Sequence, residues 1–294
     1  MDWPTISVAL ATIVLSAAAW GTVARRVRSG QPVVAFAARR PVPWRFSDLL
    51  MVAAFYFLAN AAFIAIRSFV VTWAGDEGGK LVRTAAETTT AGELAIGMVA
   101  GIAANLAATG FAVLWIFSHT DATWSDLGWR RDTVGQDVWL GLSAFAAIAA
   151  PIYGLQVLLS RLGSNNPIVE VLLREGTPLL YVLTGLSAVA VAPLAEEFFF
   201  RMLLQGWLES ASAEAESPQP ETEQPATNAR GNIAILFSSL VFSLMHLGHG
   251  TDPIPLFFLA LTLGYLYQQT HRLLPCVTVH FCLNACSYLM LCFS

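Results

Sequence analysis

Eight long apolar runs constrain this chain more than any other feature of its sequence. Most of them are long enough to cross about 30 Å of hydrocarbon as a helix, which takes roughly 20 residues. The runs cover residues 5–24, 47–73, 94–117, 138–159, 178–208, 232–248, 255–270 and 274–293. They predict an all-α, polytopic membrane protein with about eight transmembrane helices.

The composition supports a membrane protein and excludes a nucleic-acid binder. Of 294 residues, 56% are hydrophobic and 12% are charged, whereas soluble domains carry roughly 25% charged residues. Lys and Arg number 16 against 20 acidic residues and form no dense basic run, so we expect no nucleic-acid partner. Arginines follow the first apolar run, whereas in a signal peptide the basic residues precede the apolar stretch. We therefore expect it to be a retained helix.

The basic residues other than Arg201, which lies within a run, fall unevenly on the two sides that eight crossings would create; Arg67, near the end of the second run, is counted with the outer side. With the N-terminus outside, ten lie on the cytoplasmic side and five on the other. Because cytoplasmic loops carry an excess of Lys and Arg, we expect both termini to lie outside. We expect an integral, multi-pass membrane protein, located in the cell membrane if the source is bacterial.

Two hydrophilic segments interrupt the apolar pattern. Residues 75–92 are rich in Gly and Thr and are expected to form an exterior loop. Residues 209–230 contain five acidic residues and three prolines, a composition that buries too little apolar surface to fold. We predict a flexible, acidic cytoplasmic loop there.

Two adjacent carboxylates and an arginine occupy the middle of the fifth apolar run. Glu196 and Glu197 are followed by three phenylalanines and then Arg201. An ionisable side chain inside a bilayer costs roughly 2.5–3.5 kcal/mol on insertion scales, so it indicates function. Glu197 and Arg201, four residues apart, share a helix face and can form an ion pair, whereas Glu196 lies about 140° from Arg201. Glu196 is therefore the candidate general base, in a site of low dielectric constant.

Two of the five histidines lie inside later apolar runs. His246 ends the sequence FSLMH, and His280 begins the sequence HFCLN, which ends at Asn284. Because His280 and Asn284 are four residues apart, both project from one helix face. A lone intramembrane His or Asn is often an interhelical hydrogen-bond partner, but together with the carboxylates these groups indicate one active site. His119, His249 and His271 lie next to predicted loops and are expected to be solvated.

These residue types suit hydrolysis of an amide by an activated water. A carboxylate and an imidazole can take a proton from water, and His and Asn N–H groups can stabilise an oxyanion. No GxSxG and no HExxH occurs. Two alternatives stay open: a zinc-dependent protease with Glu196, His246 and His280 as ligands, and a transporter, scaffold or immunity protein without catalysis.

The order EExxxR, FxxxH and HxxxN over residues 178–294 resembles the CaaX protease and bacteriocin-processing (CPBP) family. Members are intramembrane glutamic proteases and include the type II CaaX prenyl endopeptidases. The resemblance implies that Glu196 activates the water and that His246 assists it. It also implies that His280 and Asn284 stabilise the oxyanion.

The same resemblance implies that Glu197 and Arg201 support the catalytic residues. It implies a packing or substrate-cleft role for Phe242. The resemblance favours chemistry without a metal cofactor. The implied partner is a membrane-anchored or hydrophobic peptide substrate within the bilayer, including CaaX-type tails and peptide precursors. Residues 178–294 would form the catalytic core, and residues 1–177 would form N-terminal transmembrane helices of unassigned role.

Overall fold

A computed structural model describes residues 3–74, 91–161, 167–214, 229–248 and 250–293. Within these ranges every regular element is a helix, which confirms the all-α expectation for this part of the chain. The helices are α1 Trp3–Arg28, α2 Phe46–Ala74, α3 Ala91–His119, α4 Val134–Ser160, α5 Pro167–Glu175, α6 over 178–214, α7 Ala229–Leu244, α8 Pro253–Thr270 and α9 Leu273–Cys292.

Five helices of the described ranges are long and apolar enough to cross a membrane. They are Phe46–Ile66, Ala91–His119, Arg131–Ser160, Pro178–Ser212 and Leu273–Cys292. The expected number of about eight is therefore not confirmed. Helices occupy the other three predicted positions, but the apolar stretch of α7 is short, at Gly231–Leu244, and the last turn of α8, 268–270, is polar.

The central helix of the bundle is α6, which contacts α3, α7, α8 and α9. The other helices pack further out, with α2 on α3, α4 on α9 and α1 on α4. The main core, formed largely by α6, α8, α9 and the segment before α2, buries Trp44, Leu203, Leu263 and Tyr267. Because α6 carries Glu196 and Glu197, this arrangement brings both carboxylates into the bundle.

The backbone of α6 is wider than a regular α-helix in two places. Turns 186–191 and 198–205 have π-helical i→i+5 geometry, and the regular segment Ala192–Glu197 lies between them. Such wide turns are rare and occur frequently at functional sites. The two carboxylates therefore lie where the helix changes its winding.

Pro193 leaves one carbonyl of the first wide turn without a backbone donor. Within this turn the N–H of Ala192 donates to the carbonyl of Ser187, five residues earlier. The next donor in this pattern would be residue 193, for the carbonyl of Ala188, but proline has no N–H. The side-chain amide of Asn284 on α9 donates to the Ala188 carbonyl instead, at 2.8 Å. A partly buried carbonyl thus has a hydrogen-bond donor, and this bond connects α9 to α6.

The two predicted hydrophilic segments are only partly within the described residues. The acidic segment was expected to be a loop from residue 209, but α6 continues as a helix to Glu214. Glu209, the first residue of the acidic segment, stabilises this helical extension: it pairs with Arg39 and accepts a hydrogen bond from Gln205. Residues 215–228 and 75–90 lie outside the described ranges.

Two histidines differ from their predicted environments. His246 was expected within a helix, but α7 ends at Leu244 and His246 lies in the turn that follows, its N–H bonded to the Ser243 carbonyl. Gly248, with a φ of 103°, ends the helical path two residues later. His271 was expected to be solvated, yet its side chain is only 11% exposed. It terminates α8 and contacts both Glu209 and the Ala37 carbonyl.

Candidate active site

An apolar cavity of about 490 Å³ lies between α2, α3, α6 and the end of α7. Glu196 and His246 contribute polar groups on the α6 and α7 side. Tyr56, Asn105 and Thr109 do so on the α2 and α3 side, and the other lining residues are apolar. The first helices of the chain, to which the sequence assigned no role, therefore form one wall of the cavity.

The cavity opens on the outer surface of the bundle, between α2 and α7. Five apolar lining residues from these two elements are each roughly half exposed: Phe46, Leu50, Phe57, Phe237 and Met245. The α2 side of this opening belongs to a candidate membrane span. An apolar chain lying in a bilayer could therefore enter the cavity from the side.

The Glu196 carboxylate faces two imidazole rings. Its Oε1 atom lies 3.9 Å from Nε2 of His246, and its Oε2 atom lies 3.8 Å from Nε2 of His280. Both distances exceed the 2.7–3.2 Å of a direct N–H···O hydrogen bond and suit a bridging water molecule. The Glu196 side chain is 25% exposed and the His246 side chain 19%, so water and a substrate can reach this point.

The hydrogen bonds of the two rings fix which nitrogen carries a proton. Nδ1 of His246 lies 2.8 Å from the Phe242 carbonyl, which can only accept, so Nδ1 donates. Nδ1 of His280 donates in the same way to Oε1 of Glu197 at 2.9 Å. Both Nε2 atoms therefore point to the Glu196 side, although His280 itself is only 2% exposed.

The ion pair expected from the i, i+4 spacing forms behind these rings. Nε of Arg201 lies 3.0 Å from Oε2 of Glu197, and both side chains are fully buried. The Phe242 ring lies under the guanidinium, with Cζ 5.4 Å from its centroid, and also packs edge-on or tilted against both His246 and His280. Phe242 thus separates the ion pair from the cavity and supports both imidazoles.

Asn284 lies one helical turn beyond His280. One of the two N–H groups of its amide is used by the Ala188 carbonyl, which leaves the second for another acceptor. The structure therefore brings together Glu196, Glu197, Arg201, Phe242, His246 and His280, whereas Asn284 contacts Ala188 of α6.

No group of three or more His, Cys, Asp or Glu side chains in the described ranges is arranged to hold a metal ion. This holds also for the set of Glu196, His246 and His280 that the sequence offered as alternative zinc ligands.

Two kinds of residue near the site were not singled out from the sequence. Tyr56, Asn105 and Thr109 bring polar groups to the far cavity wall, and Gln205 and Ser238 are completely buried next to Arg201. Each is a polar residue within an otherwise apolar run, and this was the only feature of the sequence that could have identified it as a site residue.

The comparison with protein families matches the part of the chain that carries most of these residues. Residues 178–286 match the family model described as type II CAAX prenyl endopeptidase Rce1-like. This segment, which includes all three motifs, is therefore an Rce1-like domain of the CPBP family. Neither the curated proteins nor the solved structures gave a significant match.

Proposed function

We propose that the protein is an intramembrane endopeptidase that hydrolyses a peptide bond of a membrane-associated peptide by glutamate- and histidine-activated water. The observation that carries this proposal is the position of Glu196. Its carboxylate lies between the Nε2 atoms of His246 and His280, at 3.9 and 3.8 Å, on the wall of an apolar cavity. The Rce1-like match of residues 178–286 supports the same reaction class.

The two gaps beside Glu196 are suited to the nucleophile. A water molecule between Glu196 and His246 would donate one hydrogen to the carboxylate and the other to the unprotonated Nε2 of His246. The carboxylate takes the first proton as the water oxygen attacks the carbonyl carbon of the substrate. General-base catalysis of this kind contributes typically 10²–10⁴-fold to a rate.

The attack moves the carbonyl π electrons onto the carbonyl oxygen, and this oxyanion needs hydrogen-bond donors. The free N–H of the Asn284 amide is one candidate, and Nε2–H of a doubly protonated His280 is the other. When the tetrahedral intermediate collapses, the C–N bond breaks and the proton held by Glu196 passes to the leaving nitrogen. The products are an amine and a carboxylic acid, and the carboxylate of Glu196 is regenerated.

Glu197 and Arg201 support this reaction from behind the rings. Their ion pair is fully buried, and Glu197 also accepts the Nδ1 hydrogen bond of His280. A carboxylate in this position fixes the orientation of the imidazole, as second carboxylates do in other catalytic sites.

The cavity favours a substrate with a long apolar or lipid-modified chain next to the scissile bond. Its lining is apolar except for a few side chains, and it opens sideways between α2 and α7. CaaX-type tails and hydrophobic precursor peptides both fit this description.

The decisive experiment compares purified wild-type protein with Glu196→Gln on a library of membrane-anchored peptides, with products read by mass spectrometry. We expect the wild type to release defined fragments and the variant to be slower by roughly 10²-fold or more. Glu175→Gln, at an exposed glutamate outside the site, is the matched control and should cleave normally. If Glu196→Gln cleaves like the wild type, or if neither cleaves any peptide, the enzymatic proposal is wrong and a scaffold or immunity role takes its place.

A further inference from the structure

A row of buried polar side chains leads from the candidate active site along α6. Glu197, Arg201, Gln205 and Ser238 have no exposed surface at all. Burying a polar group costs free energy unless it is hydrogen-bonded, and burying a charge costs more. A row of four in an apolar bundle therefore needs an explanation beyond the single ion pair.

Arg201 is held from two sides. Its Nε donates to Glu197 at 3.0 Å, and its Nη1 donates to the Ser238 hydroxyl on α7 at 3.2 Å. Its Nη2 has no hydrogen-bond partner within the described residues. The plane of the guanidinium is therefore set by two hydrogen bonds and by the Phe242 ring beneath it, and Ser238 supplies one of the hydrogen bonds.

Gln205 supplies one of two acceptors within reach of the Ser238 hydroxyl; the other is the Ile235 carbonyl in the same helix, at 3.3 Å. The Gln205 amide nitrogen donates to Glu209 and to the Gly264 carbonyl, each at 2.8 Å. Both partners are acceptors, so the amide cannot be reversed without placing its oxygen against them. Its oxygen must then face Ser238, which donates to it at 3.2 Å. The lone pairs of the Ser238 hydroxyl are left for Arg201.

Charged groups fix the far end of the row. Glu209 lies 3.3 Å from Arg39 and 3.5 Å from Nε2 of His271. Arg39 also donates to the hydroxyl of the buried Tyr267 at 2.7 Å. The groups from Glu209 to His280 thus form one connected row of hydrogen bonds, in which the Ser238 hydroxyl has the Ile235 carbonyl as a second acceptor.

We propose that Ser238 and Gln205 are positioning residues for the reaction. They orient Arg201, which holds the Glu197 carboxylate, which in turn orients the His280 ring towards Glu196. Neither residue touches the cavity or the reacting atoms. The expected effect on kcat rests on the proposed peptidase activity. The expected effect on the orientation of the His280 ring does not.

Ser239 provides a matched control in the same helix. It is as buried as Ser238, but its hydroxyl has no hydrogen-bond partner among the described residues. Ser238→Ala and Ser239→Ala therefore remove the same atom from neighbouring, equally buried positions, and only the first interrupts the row. Ser238→Thr keeps the hydroxyl, and Gln205→Leu interrupts the row one step further away.

The experiment measures kcat and KM on a cleaved membrane-anchored peptide for the wild type and these four variants. For Ser238→Ala and Gln205→Leu we expect kcat to fall about tenfold or more with KM within about twofold, as for residues that act on a catalytic group through another. Ser239→Ala should match the wild type, and Ser238→Thr should recover most of the lost kcat. Wild-type kcat in Ser238→Ala, or an equal loss in Ser239→Ala, would overturn the proposal.

A second measurement does not depend on turnover. The ¹⁵N resonance of Nδ1 of His280, assigned with His280→Gln in ¹⁵N-histidine-labelled protein, reports the hydrogen bond to Glu197. It should shift in Ser238→Ala and stay in place in Ser239→Ala. If no peptide is cleaved by the wild type, the peptidase proposal fails and this resonance alone decides the inference. An unshifted resonance in Ser238→Ala overturns the inference. It is also overturned if Ser238→Ala and Gln205→Leu both fail to fold while Ser239→Ala folds, because the row would then contribute to folding alone.

Discussion

Nδ1 of His280 and Oε1 of Glu197 lie 2.9 Å apart, although the two residues are 83 positions apart in the sequence and belong to different helices. The other oxygen of Glu197 receives the Arg201 guanidinium at 3.0 Å. One buried carboxylate thus serves a cation and an imidazole at the same time, and the neighbouring Glu196 has no such direct, short contact with either histidine. The two adjacent glutamates therefore differ in what their removal should do.

Glu197→Gln should destabilise the protein far more than Glu196→Gln. The first change leaves the buried Arg201 charge without its counter-ion, which costs about 3–5 kcal/mol. Glu196 is partly exposed, so its replacement by an isosteric amide should cost less than about 1 kcal/mol. The free energy of unfolding in detergent, measured for both variants beside the wild type, distinguishes the two. Equal stabilities would contradict the role of Glu197 as the counter-ion that the buried Arg201 charge requires.

Asn284→Ala should destabilise the protein through the backbone of α6. It removes the donor to the Ala188 carbonyl, which is partly buried, so we expect a loss towards the lower end of the about 1–3 kcal/mol that an unsatisfied buried acceptor costs. Pro193→Ala restores a backbone N–H at the position that the wide turn requires. The double variant should therefore be more stable than the sum of the two single changes predicts, by unfolding measurements in a double-mutant cycle. Strict additivity would contradict the account given for Pro193.

Ala53→Phe should change substrate use without changing the fold. Ala53 lines the cavity, whereas Ala54 is exposed and does not. A phenyl ring at 53 fills space that an apolar substrate chain would occupy, so KM should rise several-fold for long apolar substrates and little for short ones. Ala54→Phe is the control and should leave both KM values unchanged. A uniform effect on all substrates would place the binding site elsewhere.

Removal of metal ions should leave the peptidase activity intact. The proposed nucleophile is a water molecule activated by Glu196 and His246, with no metal in any step. Purified protein treated with a strong chelator should retain its kcat, and elemental analysis should find no stoichiometric zinc. Loss of activity that added zinc restores would instead support zinc ligation by Glu196, His246 and His280.

Asp126 should make stability depend on pH in acid. Its hydrogen bond with Arg40, at 2.7 Å, and further bonds from Thr123 lower the pKa of Asp126 to about 2 from an ordinary value of 3.8. A lowered folded-state pKa means that the contribution is complete above pH 3.8 and is lost as the pH falls towards 2. Asp126→Asn should accordingly lower Tm near neutral pH, and the difference from the wild type should shrink in that acidic range.

The control for this measurement is Asp121→Asn. Asp121 also faces Arg40, but at 3.4 Å and with 80% of its side chain exposed, so solvent screening leaves it little effect. A Tm difference for Asp126→Asn that stays constant down to pH 2 would contradict the ion-pair explanation.

Local spacing was sufficient to predict part of the site. The i, i+4 relation of Glu197 and Arg201 predicted their ion pair, and the helix wheel separated Glu196 from Arg201. Helix positions followed from the apolar runs, because a run of that length has few other ways to satisfy its backbone in a bilayer. The resemblance to the CPBP family was confirmed for residues 178–286.

What spacing could not supply are contacts between helices. The bond from Asn284 to Ala188 depends on a carbonyl left free by Pro193, and the Ser238–Gln205 contact joins α7 to α6. The sequence did not predict that α7 ends at Leu244, before His246, because an apolar run does not indicate at which residue the helix ends. The expected number of crossings was not confirmed, because short apolar helices such as α7 give the same sequence signal as spanning ones.

The wall of the cavity formed by α2 and α3 lies outside the segment that matches the family. The residues proposed to cleave the bond and one wall of the proposed substrate cavity are therefore encoded in separate stretches of the gene. We therefore expect substitutions in α2 or α3 to change which peptides are cleaved while the proposed chemistry of residues 178–286 is kept. Relatives that share all three motifs need not share a substrate.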